Sequence, residues 1–156
     1  MREGILVPFD GSANALEALR TAITLAKALG EKIILLNVQP SFQTIHTKMF
    51  FSKEVIRDYQ QQLFATAVEK GKELLAGAEV NYEIKLRVGD AKEQICLEAS
   101  ADLPGKNACA DVGVRWIVMG SRGMNPVAGG LLGSVSYGVV NAAPCPVTIV
   151  PYACKA

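Results

Sequence analysis

A single histidine, His46, stands among 156 residues, and the four cysteines (Cys96, Cys109, Cys145 and Cys154) form no CxxC pair. A structural zinc site needs clustered thiolate and imidazole ligands, so the cysteines read instead as mostly buried thiols. Long apolar runs are missing as well. Nothing approaches the roughly 18 apolar residues needed to cross a bilayer, and the short run at residues 5–7, broken by Pro8 and Asp10, is too short for a secretory signal. The expected compartment is the cytoplasm. Charge of one sign is scarce: the formal net charge is +1 and basic residues are scattered, which argues against a broad electrostatic footprint for nucleic acid or for an acidic membrane surface. The Walker pattern GxxxxGK[ST] and the dinucleotide pattern GxGxxG are both absent, as are repeats and low-complexity tracts.

What is present is a folded α/β composition, with 50% apolar and 20% charged residues. One domain over residues 1–156 is expected, large enough to remove roughly 70% of its unfolded surface from water. Residues 5–7 (ILV) and 32–38 (KIILLNV) are continuous apolar runs, the signature of strands covered on both faces. Between them Leu16, Leu19, Ile23 and Ala26 keep helical spacing until Gly30 stops it. Residues 40–52 show no clean period and read as a loop that can fold over a site or a partner. A long helix is expected from Ser52 to about Leu75 on Val55, Ile56, Tyr59, Leu63, Ala67 and Leu74, with Gly71 a tolerated weak point and Gly77 the stop.

Val80, Tyr82, Ile84, Leu86 and Val88 alternate with polar residues, which predicts a strand at a sheet edge with one wet face. Asp90, with Glu93 three residues on, resembles a capping box for a helix ending near Ser100. Residues 101–114, with Pro104, read as a loop or a short turn. Residues 115–119 (RWIVM) form the fourth strand, a helix follows from Ser134 toward Ala143, and Val147 to Val150 form the fifth strand. Strands alternating with helices imply a doubly wound parallel sheet of Rossmann-like type, with helices on both faces and a ligand crevice at the carboxyl ends of its strands.

Residues 117–136 (IVMGSRGMNPVAGGLLGSVS) are the centre of the functional reading. A strand ending in Met119 meets Gly120, and Gly120, Gly123 and Gly133 are spaced G-x2-G-x9-G with Ser134 directly after. Glycine admits φ > 0 and close approach of a ligand, while the following helix offers unpaired N–H groups and the positive end of its dipole. Ser134 can cap that helix or donate its hydroxyl to a phosphate oxygen. Arg122 can pair with phosphate or with solvent and the C-terminal tail. Asp10 can accept from a ribose hydroxyl or an adenine amine, or cap the first helix, a role Ser12 can also fill. Val38 can face a base or be a plain core valine.

These residues carry a resemblance. The spacing within GSRG…LLGSVS, the later APCPVTIV and the opening ILVPFDGS look like the universal stress protein family, in its nucleotide-binding branch, over nearly the whole chain. The resemblance implies a five-stranded sheet in the order 3-2-1-4-5. It implies ATP or AMP as ligand, with Pro8, Asp10 and Val38 around adenosine, with Gly120, Arg122, Gly123, Gly133, Ser134, Val135 and Ser136 at the ribose and phosphates, and with Met119 among the binding residues. It further implies a homodimer through the Val147 to Val150 edge strand. Pro126 departs from the pattern, removing one N–H donor from the loop and stiffening it.

The expected function is a dimeric, nucleotide-binding stress-response protein that senses or regulates, working through a protein partner the sequence does not name. The alternative is a slow ATPase or nucleotidyl-transfer enzyme on the same fold. Little catalytic equipment is visible, since His46 reads as solvent-exposed or dimer-facing, and Mg²⁺ can accompany the phosphates without a protein cage.

Overall fold

The computed structural model describes residues 1–103, 112–123 and 132–152. The segment around Pro104, the middle of the glycine loop with Pro126, and the cysteines Cys109 and Cys154 lie outside those residues. Five strands form one parallel sheet: β1 (Ile5–Pro8), β2 (Ile33–Gln39), β3 (Tyr82–Val88), β4 (Trp116–Gly120) and β5 (Val147–Val150). Their spatial order is β3-β2-β1-β4-β5, as the resemblance implies. Register is set by apolar runs that must bury both faces: Ile5 pairs with Ile33 on one side and Trp116 on the other.

Between the strands run α1 (Ala13–Leu29), α2 (Ile45–Phe50), α3 (Lys53–Ala76), α4 (Ala91–Ala99) and α5 (Ser134–Ala142). Odd and even strand positions divide the core in two. Ile5, Val7, Ile33 and Leu35 pack beneath α1 and α3, with Ala18, Leu19, Ala22, Val68 and Leu75. Leu6, Ile34, Leu36, Ile117 and Met119 pack beneath α4 and α5, with Ile95, Ala99 and Val139. α1 starts with the Ser12 hydroxyl accepting from the Ala15 N–H at 3.1 Å. It ends at Gly30, whose φ of 68° is the left-handed conformation that lets the last turn close.

Three expectations are corrected. Residues 40–52 are not all loop, because Thr44 caps the six-residue α2, whose side chains are without exception outside the core. The apolar spacing in the first half of α3 does not mark a core face: Val55 and Tyr59 are half exposed, and burial begins only at Val68, Gly71 and Leu75. Gly71 is no weak point. A Cβ there would stand 3.0 Å from Leu35 and from the Phe9 ring, so its absence is what lets α3 approach the sheet.

β3 is the edge strand expected, but it begins at Tyr82, and its polar face is not simply wet. Glu83, Lys85 and Arg87 lie half-buried beside α4, where Glu98 accepts from Lys85 Nζ at 2.7 Å and from Arg87 Nε at 2.6 Å. Arg87 also reaches Asp102 at 2.7 Å. Burial alone would push the Glu98 carboxyl up, yet the two hydrogen bonds outweigh it and hold it below its ordinary 4.5. The Glu98 hydrogen bond is likewise the main cause that raises Lys85 above 10.5. A charged strand face is covered here because its partner helix supplies the counter-charge. Among the described residues no helix is long and apolar enough to cross a membrane.

Candidate functional site

The strand order reverses between β1 and β4, and in a doubly wound sheet the splayed carboxyl ends at such a point leave a crevice. On the β1 side, the Phe9 N–H still pairs with Leu36 O at 2.8 Å before the chain turns away at Asp10. The Asp10 Oδ1 accepts from the Ser12 N–H at 2.9 Å, and Ser12, not Asp10, caps α1. Asp10 therefore keeps its second oxygen for the crevice. A Cβ built on Gly123 would lie 3.2 Å from that oxygen, so loop and carboxylate face each other across the gap.

On the β4 side the strand ends at Gly120 and the chain continues through Ser121, Arg122 and Gly123. None of Gly120, Gly123 and Gly133 has a positive φ, so of the two uses expected of glycine here, φ > 0 and close approach, the first does not apply. At Gly120 the reason is space. A Cβ on Gly120 would meet the Asn14 amide at 2.7 Å, closer than any real contact allows. Gly133 is the N-cap of α5 in extended conformation, with no side-chain cap, so the capping role weighed for Ser134 is filled by no side chain. Ser134 is exposed at the first helical position.

The first backbone bond of α5 runs from Tyr137 N–H to Gly133 O at 3.0 Å. The N–H groups of Ser134, Val135 and Ser136 consequently have no acceptor within the helix, and they point with the positive end of the helix dipole. That arrangement suits an anion. The Ser136 side chain is otherwise engaged: buried, it donates to Ser121 O at 2.8 Å and to Gly133 O at 3.1 Å, stapling the start of α5 to the exit of β4.

The crevice encloses about 560 Å³, within the range of small-ligand sites. All eleven nominated residues line it: Pro8, Asp10 and Val38 on one side, and Met119, Gly120, Arg122, Gly123, Gly133, Ser134, Val135 and Ser136 on the other. Val38 is half-buried and packs on the core beneath α4, so it serves the core and the crevice together. His46 is exposed on α2, as expected. Among the described residues no three His, Cys, Asp or Glu side chains come together as a metal site, and Cys96 and Cys145 are half-buried where burial was expected.

Several residues of the site escaped the sequence reading. Ala91 and Ile95 of α4 form a wall of the crevice. Asn37, which interrupts the apolar run of β2, is buried; its Nδ2 donates to Phe9 O at 2.8 Å and its Oδ1 accepts from Gln39 at 2.6 Å, which fixes the β1 exit. Asn14 does the same for the glycine loop, its Oδ1 accepting from the Arg122 N–H at 2.9 Å. Asn14 was detectable as the lone polar residue on a core-facing stripe, and Asn37 as a polar residue that breaks an apolar run. Asn14 shares its stripe with Ala18, Ala22 and Ala26.

Fold and crevice together define a doubly wound α/β protein with an anion-suited helix end at its switch point. Within that class the chain belongs to the universal stress protein family, whose model matches residues 1–104 and 105–151. A relative from Staphylococcus haemolyticus that carries the family's name is 32% identical over 151 residues, covering 95% of this chain and 84% of its own. The structure of hypothetical protein MJ0577 superposes with a TM-score of 0.79 at 25% identity, covering 99% of both chains. An Arabidopsis thaliana family member solved with AMP bound superposes at 0.65 with 23% identity, covering 98% of this chain and 94% of its own. Another universal stress protein, solved in complex with cAMP, superposes at 0.64 with 23% identity, covering 95% and 96%.

Proposed function

We propose that this chain binds an adenine nucleotide, ATP or AMP, in the crevice between β1 and β4. It then acts in a stress response as a dimeric sensor or regulator that passes nucleotide state to a protein partner. The observation that carries this reading is the convergence, across one crevice, of an acceptor carboxylate at Asp10 and three amides at the start of α5 that have no partner among the described residues. An acceptor at one end and N–H donors at the other match a ribose or adenine joined to phosphates. The AMP and cAMP held by the two family members above support the same ligand class.

In this reading Pro8, Val38 and Met119 contact the base, and Asp10 Oδ2 takes the ribose hydroxyl or the adenine amine. The backbone at Gly120, Arg122, Gly123 and Gly133 and the Ser134 hydroxyl surround the phosphates with the α5 amides of Val135 and Ser136. Mg²⁺, if it accompanies them, would be held by phosphate oxygens and water. The whole chain works as one nucleotide-binding domain in the cytoplasm and pairs through the outer edge of β5. No reaction step is required of it. The rival reading, slow hydrolysis, would use Asp10, but Oδ1 of that residue already accepts from the Ser12 N–H to hold the turn.

The test is titration calorimetry with AMP and with ATP, wild type against Gly123→Val. A valine there fills the gap in front of Asp10, so binding to the variant should vanish while its circular dichroism is unchanged. Equal affinity of the two proteins would remove the crevice from consideration. Multiple-turnover phosphate release that disappears in Gly123→Val would move the reading to the enzyme.

A further inference from the structure

Asn14 is 2% exposed, and each polar atom of its side chain is engaged by a different segment. Its Nδ2 donates to Val150 O at 3.1 Å, while its Oδ1 accepts from Arg122 N–H at 2.9 Å and from the Ser121 hydroxyl at 3.3 Å. Ser121, 4% exposed, extends the junction. Its N–H donates to Val150 O at 2.9 Å, and its carbonyl accepts from Gly133 N–H at 2.7 Å and from Ser136 Oγ at 2.8 Å. Its hydroxyl accepts from the Tyr152 N–H at 3.1 Å. The two buried side chains thus join the first arm of the glycine loop to the exit of β5, and the Ser121 carbonyl joins that arm to the second one, where α5 begins.

We infer that Asn14 is a positioning residue: with Ser121 it holds the two arms of the glycine loop at the spacing that phosphates require, and it couples that spacing to the backbone leaving β5. The inference rests on the nucleotide reading above and deepens it. The physical reason is that a buried amide with its donor and its acceptor both engaged has no alternative arrangement. Without it the Arg122 N–H loses this acceptor and the loop loses the tie that sets its position, whether water or a shifted loop replaces the bond. Of the adenosine end, Pro8, Asp10 and Val38 make no hydrogen bond to Asn14 or Ser121, although Asp10 precedes Asn14 by one turn. Gly120 fits the same account, since its missing Cβ is what admits the Asn14 amide.

The experiment compares AMP with adenosine, by calorimetry, on wild type, Asn14→Leu and Ser121→Ala. Loss of the junction should weaken AMP by about tenfold in Asn14→Leu and leave adenosine within about twofold. In hydrogen exchange, AMP should slow the amides of residues 145–152 in wild type and fail to do so in the variant. Equal losses for AMP and adenosine, or an unchanged AMP affinity, would overturn the inference, as would wild-type exchange indifferent to AMP. Should Asn14→Leu not fold, Ser121→Ala, which removes a single oxygen, carries the comparison: about a threefold loss confined to AMP supports the inference, and no difference overturns it. A wild type that binds neither ligand overturns the nucleotide reading and this inference together, whereas a binding wild type with unselective variants overturns the inference alone.

Discussion

Gly120 and Asn14 are a pair in which each residue dictates the other. The 2.7 Å between the would-be Cβ and the amide carbon means that Gly120→Ala must expel the amide or displace β4. Overpacking of this kind costs about 1–3 kcal/mol, which urea denaturation will register. Combining it with Asn14→Ala should give a double variant less destabilised than the sum of the two, because the clash is gone. Strict additivity would mean that the two side chains do not share the space. Cys145 makes a second residue-level expectation. Burial pushes its thiol up to about 11, with Cys96 adding to the shift and Arg2 opposing it. At pH 8 it should therefore resist alkylation by iodoacetamide in the folded protein and react readily once urea unfolds the chain, as peptide mass spectrometry can follow.

Among the elements, β3 and α4 depend on charge in a way the other strands do not. A carboxyl held below 4.5 contributes stability that is fully present above that pH and is lost as pH falls through its lower folded value. Glu98→Gln should cost on the order of 1 kcal/mol at neutral pH, and the difference from wild type should shrink as pH drops below 4.5. A pH-independent difference would mean that the ion pairs with Lys85 and Arg87 are not the cause. Strands were the most legible elements in the sequence, since a parallel strand buried on both faces must be a continuous apolar run. α2 was invisible because six residues with none in the core leave no periodic trace. The first half of α3 misled for the opposite reason: Val55 and Tyr59 keep helical spacing without a neighbour to bury them. The glycine motif was legible as a site, but its cause was not. That Gly120 answers to a side chain on α1 depends on a contact between residues far apart in the chain.

For the molecule as a whole, the sheet order leaves β5, among the described residues, with one strand neighbour and an open edge, and its four residues are all partly exposed. An apolar edge of that kind favours pairing with a second strand. Ile149→Lys should therefore give a monomer in light scattering, and an unchanged dimer would put the interface elsewhere. The eleven nominated residues, drawn from β1, β2, β4, α5 and the turns between them, meet in one crevice because the parallel order brings those strand ends together. The long-range contacts by which Asn14 and Asn37 hold them in place were not legible in the sequence. The central claim concerns what fills that crevice, and titration of the purified wild-type chain with AMP and with ATP tests it most directly. Saturable heat at one site per chain is the result predicted. No heat from either nucleotide at millimolar concentration would contradict it.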